Sequence, residues 1–300
     1  MLVFVQLVPS YRFYAQTNPI MSSLDLYNLT TLKCSRLITQ HYSTSFTLGI
    51  QTLHKDLHYP IYAIYGFVRY ADEIVDTFHN YPKATLLARF KEDTYRAIEE
   101  GISTNPVLHA FQLVVRQYSI ENELIEAFLH SMEMDLHKQD YNENKYAEYI
   151  YGSAEVVGLM CLRVFCQNDD NLYQTLKEPA RSLGAAFQKV NFLRDMKSDY
   201  EDRGRIYFPH LKLKNFDADS KRQIEADIQK DFDDAYKGII RLPKKARLGV
   251  YLAYVYYVKL FHKIKQSSTH QLLQERIRVP NRYKMVLLAK SYVKHQLNYM

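Results

Sequence analysis

Two stretches carry acidic residues at helical spacing, and they constrain this chain more than anything else in it. In QKVNFLRDMKSDYEDRGRIYFP, residues 188–209, the side chains Gln188, Asn191, Asp195 and Asp199 fall at i, i+3, i+7 and i+11. That spacing puts all four on one face of a helix. Val190, Phe192, Leu193 and Met196 fill the space between them, so the same helix carries substantial apolar surface. Pro179 near the start and Gly204 at the end bracket it, giving roughly two dozen residues. A second stretch, PIYAIYGFVRYADEIVDTF, lies between Pro60 and Pro82 and sets Tyr65, Arg69, Asp72 and Asp76 at i, i+4, i+7 and i+11. Two helices, each with paired acids and an arginine close by, read as two walls of one site.

Carboxylates at i and i+4 have β-carbons about 5–6 Å apart, so both reach one hard cation or two neighbouring ones. Magnesium takes oxygen ligands only, commonly one or two carboxylates completed by water and substrate phosphate. Asn191 adds a neutral carbonyl oxygen on the same face. Arg69, Arg194 and Arg205 are planar donors suited to phosphate oxygens. Together these residues describe a magnesium–diphosphate clamp. With 33 acidic residues in 300, a lone DxxxD arises readily on a solvated face. The weight rests on the conjunction of two such helices, an arginine on each, and the trailing RGRIYFP.

Only nine glycines and nine prolines punctuate the 300 residues, and long stretches run without either, which favours an all-α chain. No repeat, low-complexity tract or linker divides it, so a single domain is expected. Cys34, Cys161 and Cys166 make an odd number without a C-x-x-C pair, which argues for a reducing compartment and buried thiols. Residues 1–20 look foreign to the rest. They start apolar but lack a basic n-region and an A-x-A-like site, so they are read as an extension set by an early start codon. The domain then runs over residues 21–300. No run of 18 apolar residues suggests a membrane-spanning helix. The net charge of +6 is spread out, no nucleic-acid reader motif accompanies it, and anionic substrates or membrane surfaces explain it more simply.

In HYSTSFTLGI, Ser43, Ser45 and Phe46 stand at a helix start; the hydroxyls either cap the helix or bind phosphate oxygens. Residues 83–130 show ordinary helical periodicity. Asp135 and His137 are read as a surface pair. In YAEYIYGSAEVVGLMCLRVFC, residues 146–166, the small residues Gly152, Ser153, Ala154, Val157 and Gly158 interrupt an apolar helix. Glycine there costs about 1 kcal/mol relative to alanine, so it serves close packing or leaves room for a long apolar tail. Tyr251, Tyr254 and Tyr257 line part of a later helix, either as core or as an aromatic face for a carbocation. The C-terminal RYKMVLLAKSYVKHQLNYM is basic and amphipathic, with Lys284, Lys290 and Lys294.

YADEIVD preceded by Arg69, followed far downstream by QKVNFLRDMKSDYEDRGRIYFP, resembles the two aspartate-rich signatures of squalene and phytoene synthases. YSTSF, YGSAEVVGLM and KKARLGVYLAYVYYVKL support the likeness, which covers about residues 30–295. It implies a helical bundle of the isoprenoid-synthase type with a central cavity. Carried over position by position, it implies that Asp72, Asp76, Asn191, Asp195 and Asp199 hold Mg2+, with Mn2+ as a substitute. Arg69, Arg194, Arg205, Ser43 and Tyr207 would contact diphosphates. Tyr65, Phe46, Gln188, Ala154, Val157 and Gly158 would line the cavity, and Tyr257 would sit near the reacting carbons. Ser198 stands where the family usually has an acid, and Glu73 where a second aspartate is common.

The implied reaction is a head-to-head joining of two prenyl diphosphates. The texture of the motifs is most like bacterial phytoene synthases, which use geranylgeranyl diphosphate. Squalene or dehydrosqualene synthesis from farnesyl diphosphate is the alternative, and only the squalene reading calls for NADPH. A non-catalytic scaffold relative is the alternative of another class, but it would typically have lost aspartates that are all present here. The reduced cysteines fit a cytoplasmic protein, and the basic C-terminal helix either presents a solvated face or rests peripherally at the inner face of the membrane.

Overall fold

The structure is a computed structural model and describes residues 21–137, 141–201, 207–209 and 216–279. Residues 1–20, Gly204, Arg205 and the basic C-terminal helix lie outside the described residues. The regular structure within them is entirely helical: α1 (Ser23–Tyr42), α2 (Thr44–Gln51), α3 (His58–Asp76), α4 (Lys83–Glu100), α5 (Pro106–Tyr118), α6 (Asn122–Met134), α7 (Glu143–Ile150), α8 (Val156–Cys166), α9 (Asp170–Glu201), α10 (Ala218–Ile239), α11 (Lys244–Gln266) and α12 (Thr269–Gln274). The all-α, single-domain expectation therefore holds.

The helix ends follow local chemistry. Ser22 caps α1 by accepting from the Asp25 backbone N–H. Asn105 caps α5 with Pro106 at its first turn, where a missing N–H costs nothing. Gly101 ends α4 at φ 72°, a left-handed conformation that glycine adopts without steric cost. Pro179 corrects the sequence reading, because it sits inside α9 and does not open it. The helix spans 32 residues, starting just after Gln167 and Asn168 turn the chain at positive φ. An interior proline normally breaks a helix. Here the ring is pressed against Gly238 of α10, where a β-carbon would collide with it, and this packing against α10 holds the longer helix together.

Two apolar clusters form the core. One centres on Phe67, stacked on Phe111 with ring centroids 3.9 Å apart and flanked by Phe90 and Phe128. The other joins α9, α10 and α11 through Phe192, Phe232, Tyr257 and Phe261. Between α7 and α8 the chain makes one π-helical turn, Tyr151–Glu155, so Glu143–Cys166 is one continuous helix. By length and composition alone this run is apolar enough to cross a membrane, the exception to the expectation of no such helix. More than half of its apolar window is buried, packed on α6 and α9, as befits a core helix. The three cysteines are free thiols. Burial pushes Cys161 up to about 12 and Cys166 to about 11, while Cys34 is only half-buried.

Candidate active site

The first acidic stretch forms the C-terminal half of α3. Arg69 pairs with Asp72 and Glu73, and its guanidinium lies 4.4 Å from the Tyr42 ring centre. Tyr65 sits one turn earlier, its ring 5.4 Å from Phe46 and its hydroxyl bonded to Ser43. Ser43 also caps α2 by accepting from the Phe46 N–H at 3.2 Å, so the capping role proposed for it is real. Burial raises the Tyr65 pKa against the opposing pull of Arg69.

The second stretch lies on α9. Arg194 donates to Asp195 at 3.0 and 2.5 Å. Burial works against the Arg194 charge, but Asp195 more than offsets it and its pKa lies above the ordinary arginine value. Asn191 accepts a hydrogen bond from the Tyr257 hydroxyl at 3.2 Å, and Tyr257 stacks on Phe187 at 3.9 Å. Burial raises the Tyr257 pKa, so both site phenols are neutral near neutral pH. Asp199 is 5% exposed. Sequence reasoning missed Arg276, which reaches back from beyond α12 to place Nε 2.7 Å from Asp195. Nothing in its local sequence marks it, because only the fold brings it to α9.

Below these groups lies a cavity of about 360 Å³. Phe46, Tyr65, Gln188, Asn191 and Tyr257 line it, and so do Ala154, Val157 and Gly158. The small-residue stripe thus divides between its two readings. Gly152 is a packing glycine whose β-carbon would strike Ala127 and Ser131 of α6, while Gly158 both lines the cavity and lets α8 approach Ala180, whose carbonyl oxygen would lie 3.0 Å from an added β-carbon. Tyr256 also lines the wall. Tyr251 and Tyr254 pack on one another, and Tyr254 also meets Phe232 and Tyr236 of α10.

Tyr207, which the resemblance implies as a diphosphate contact, is not among the residues that line the cavity. It is 6% exposed, stacks on Phe192 at 4.1 Å and lies 3.5 Å from both Asp135 and the Tyr149 hydroxyl. Asp135 is no surface residue but a buried acceptor for the Tyr149 hydroxyl at 2.7 Å. His137 alone is exposed. The signal was available, since Asp135 continues the inward face of α6 marked by Phe128 and Ser131.

Among the described residues no three His, Cys, Asp or Glu side chains gather closely enough to hold a metal ion by themselves. The donors on the two helices are nonetheless all oxygen, in pairs, which suits a hard cation whose remaining ligands come from water and phosphate.

The sequence profile of squalene/phytoene synthase matches residues 39–283. This chain belongs to the squalene/phytoene synthase family. The family is one of prenyl-transferring enzymes. Phytoene synthase 1 of Solanum lycopersicum is 27% identical over 92% of this chain and 71% of its own length. The phytoene synthase of Arthrospira platensis is 29% identical over 86% of this chain and 91% of its own. Among solved structures, a dehydrosqualene synthase with bound ligand matches with a TM-score of 0.75 at 22% identity, over 90% of this chain and 98% of that one. A squalene synthase from Alicyclobacillus acidocaldarius gives 0.69 at 21%, over 80% and 95%. These structural likenesses show a shared family fold.

Proposed function

We propose that this protein is a phytoene synthase, joining two geranylgeranyl diphosphates head to head through prephytoene diphosphate. The observation that carries the choice is the reach of the cavity along α9. Its wall runs from Asn191 to Leu176, fifteen residues of helix or about 22 Å at 1.5 Å per residue. An extended isoprene unit advances about 5 Å with carbon–carbon bonds near 1.5 Å, so a twenty-carbon tail matches this reach better than a fifteen-carbon one. Curated relatives that match this chain include phytoene synthases. The dehydrosqualene synthase among the structural neighbours supports the second reading, two farnesyl diphosphates.

In this reading Asp72, Asp76, Asn191, Asp195 and Asp199 would hold Mg2+, or Mn2+ in its place. The metal would supply Lewis-acid neutralisation of the departing diphosphate. Arg69, Arg194 and Arg276 bind diphosphate oxygens, and Arg205 serves the same end. The C–O bond of one substrate breaks with its electron pair leaving on diphosphate. The double bond of the second substrate attacks the allyl cation, and proton loss closes a cyclopropane. A second loss of diphosphate, rearrangement and a second proton loss give the hydrocarbon. The apolar wall keeps water from the cations. Tyr65 and Tyr257, neutral because burial raises their pKa, act as hydrogen-bonding dipoles, which leaves released diphosphate to take the protons.

The test incubates the purified protein and magnesium with each diphosphate separately, with and without NADPH, and identifies the product by mass. A forty-carbon hydrocarbon from geranylgeranyl diphosphate, independent of NADPH, is expected. A thirty-carbon product from farnesyl diphosphate with the longer substrate untouched overturns the choice. Such a product is insoluble in water, so peripheral association with an anionic membrane belongs to the same proposal. Flotation with anionic liposomes should carry the protein upward at low salt and release it at high salt. Absence of salt-sensitive flotation removes that part.

A further inference from the structure

We infer that Phe165 is the floor that measures the prenyl tail, with Leu162 and Leu176 forming the last ring above it. This rests on the proposed function, because it assigns a stop to the tail that the cavity accepts.

Tyr65 of α3, Asn191 of α9 and Tyr257 of α11 gather at the entrance, and each helix leads inward from there. The cavity wall ends at Ile61 on α3, at Gly249 on α11 and at Leu176 on α9. At 1.5 Å per residue those reaches are about 6, 12 and 22 Å, so the deep side follows α9. The helix facing it is α8, and glycine contacts fix their register. A β-carbon on Gly184 would lie 2.7 Å from the Ala154 carbonyl oxygen, and one on Gly158 3.0 Å from that of Ala180. The two helices are therefore antiparallel, with residue 154 beside 184 and 158 beside 180. Continued by one turn, this register sets Leu162 level with Leu176 and puts Phe165 one turn deeper. All three line the cavity, as does Ala180.

Tail lengths map onto this ladder. Ala180 lies eleven residues from Asn191, about 16 Å by helical rise, where a fifteen-carbon tail of three isoprene units of about 5 Å each would end. A fourth unit brings the tail end level with Leu162 and Leu176. A fifth would run into the Phe165 ring. Ala180 lies about 16 Å from Asn191 along α9 by helical rise and Phe165 lies deeper, so changing them alters length preference without altering the clamp residues.

The experiment measures kcat/KM for farnesyl, geranylgeranyl and geranylfarnesyl diphosphate on wild type, Phe165→Ala and Ala180→Phe, with product mass and far-ultraviolet circular dichroism for each. Phe165→Ala should raise the preference for the twenty-five-carbon over the twenty-carbon substrate by about tenfold or more, the scale on which apolar pockets discriminate. Ala180→Phe should lower the preference for twenty over fifteen carbons by a similar factor. Leu176→Ala replaces Phe165→Ala, and Ala180→Leu replaces Ala180→Phe, if either first variant fails to fold. Folded variants that keep the wild-type length preference overturn the floor. A wild type that consumes only farnesyl diphosphate overturns the proposed function instead, while the direction of the shifts relative to wild type still judges the floor.

Discussion

Asp72→Ala and Asp195→Ala should each lower turnover by roughly a thousandfold or more, the scale on which charge-stabilising groups in such sites act, while leaving helical content unchanged. Neither acid supports the core. Asp72 is a half-buried residue whose partner Arg69 keeps Glu73 when Asp72 is lost. Asp195 is paired with Arg276, which is half exposed and can return to water. Arg194 is the group at risk, being buried beside the carboxylate it neutralises. Asp195→Asn is therefore the useful companion, because it keeps an oxygen for the guanidinium while removing the charge a metal needs. Steady-state assays over a magnesium titration, with circular dichroism as the control, decide the matter. Wild-type rates in both alanine variants, or undiminished activity after chelation, would sink the clamp.

The site was legible in the sequence wherever its residues share one helix. Helical periodicity alone set Asn191, Asp195 and Asp199 on one face, and α9 bears that spacing out. The limits appear where tertiary packing overrides a local rule or brings distant segments together. Pro179 signals a helix start by its own chemistry, and only its seat on Gly238 explains why α9 runs through it. Asp135 carries a charge that argues for the surface against its inward register on α6, and the Tyr149 hydroxyl that satisfies it lies on another helix. Arg276 stands 81 positions from the aspartate it meets, a separation no spacing rule spans. Tyr207 is next to a motif in sequence but is turned into the aromatic cluster by Phe192. The cavity floor was illegible for a related reason: Leu176 and Phe165 look like ordinary core residues until the glycine contacts give the register of α8 on α9.

Lys189 bears on whether α9 can present its acidic face at all. It lies between Gln188 and Val190, but its amine is turned away from the cavity and donates to Asp227 at 2.5 Å and Asp231 at 2.7 Å on α10. Its side chain is 11% exposed. Burial disfavours its charge, yet the two carboxylates outweigh that and raise its pKa. Lys189→Met should destabilise the protein by about 2–3 kcal/mol near pH 7, less than the full cost of orphaning a buried charge because Asp227 is half exposed and remains solvated. Asp231 carries most of the penalty. Burial already holds its pKa above the ordinary aspartate value, with Lys189 as the largest opposing influence, so removing the lysine moves it further up. A group with a raised folded pKa binds its proton more tightly when folded, so its stabilising contribution is present at low pH and lost as pH rises through that pKa. The deficit of the variant should accordingly shrink as pH falls from neutrality through the raised folded pKa of Asp231. Denaturant unfolding of wild type and Lys189→Met at several pH values measures it. A deficit that stays constant, or grows on acidification, would show that Lys189 acts through its apolar stem and not through its charge.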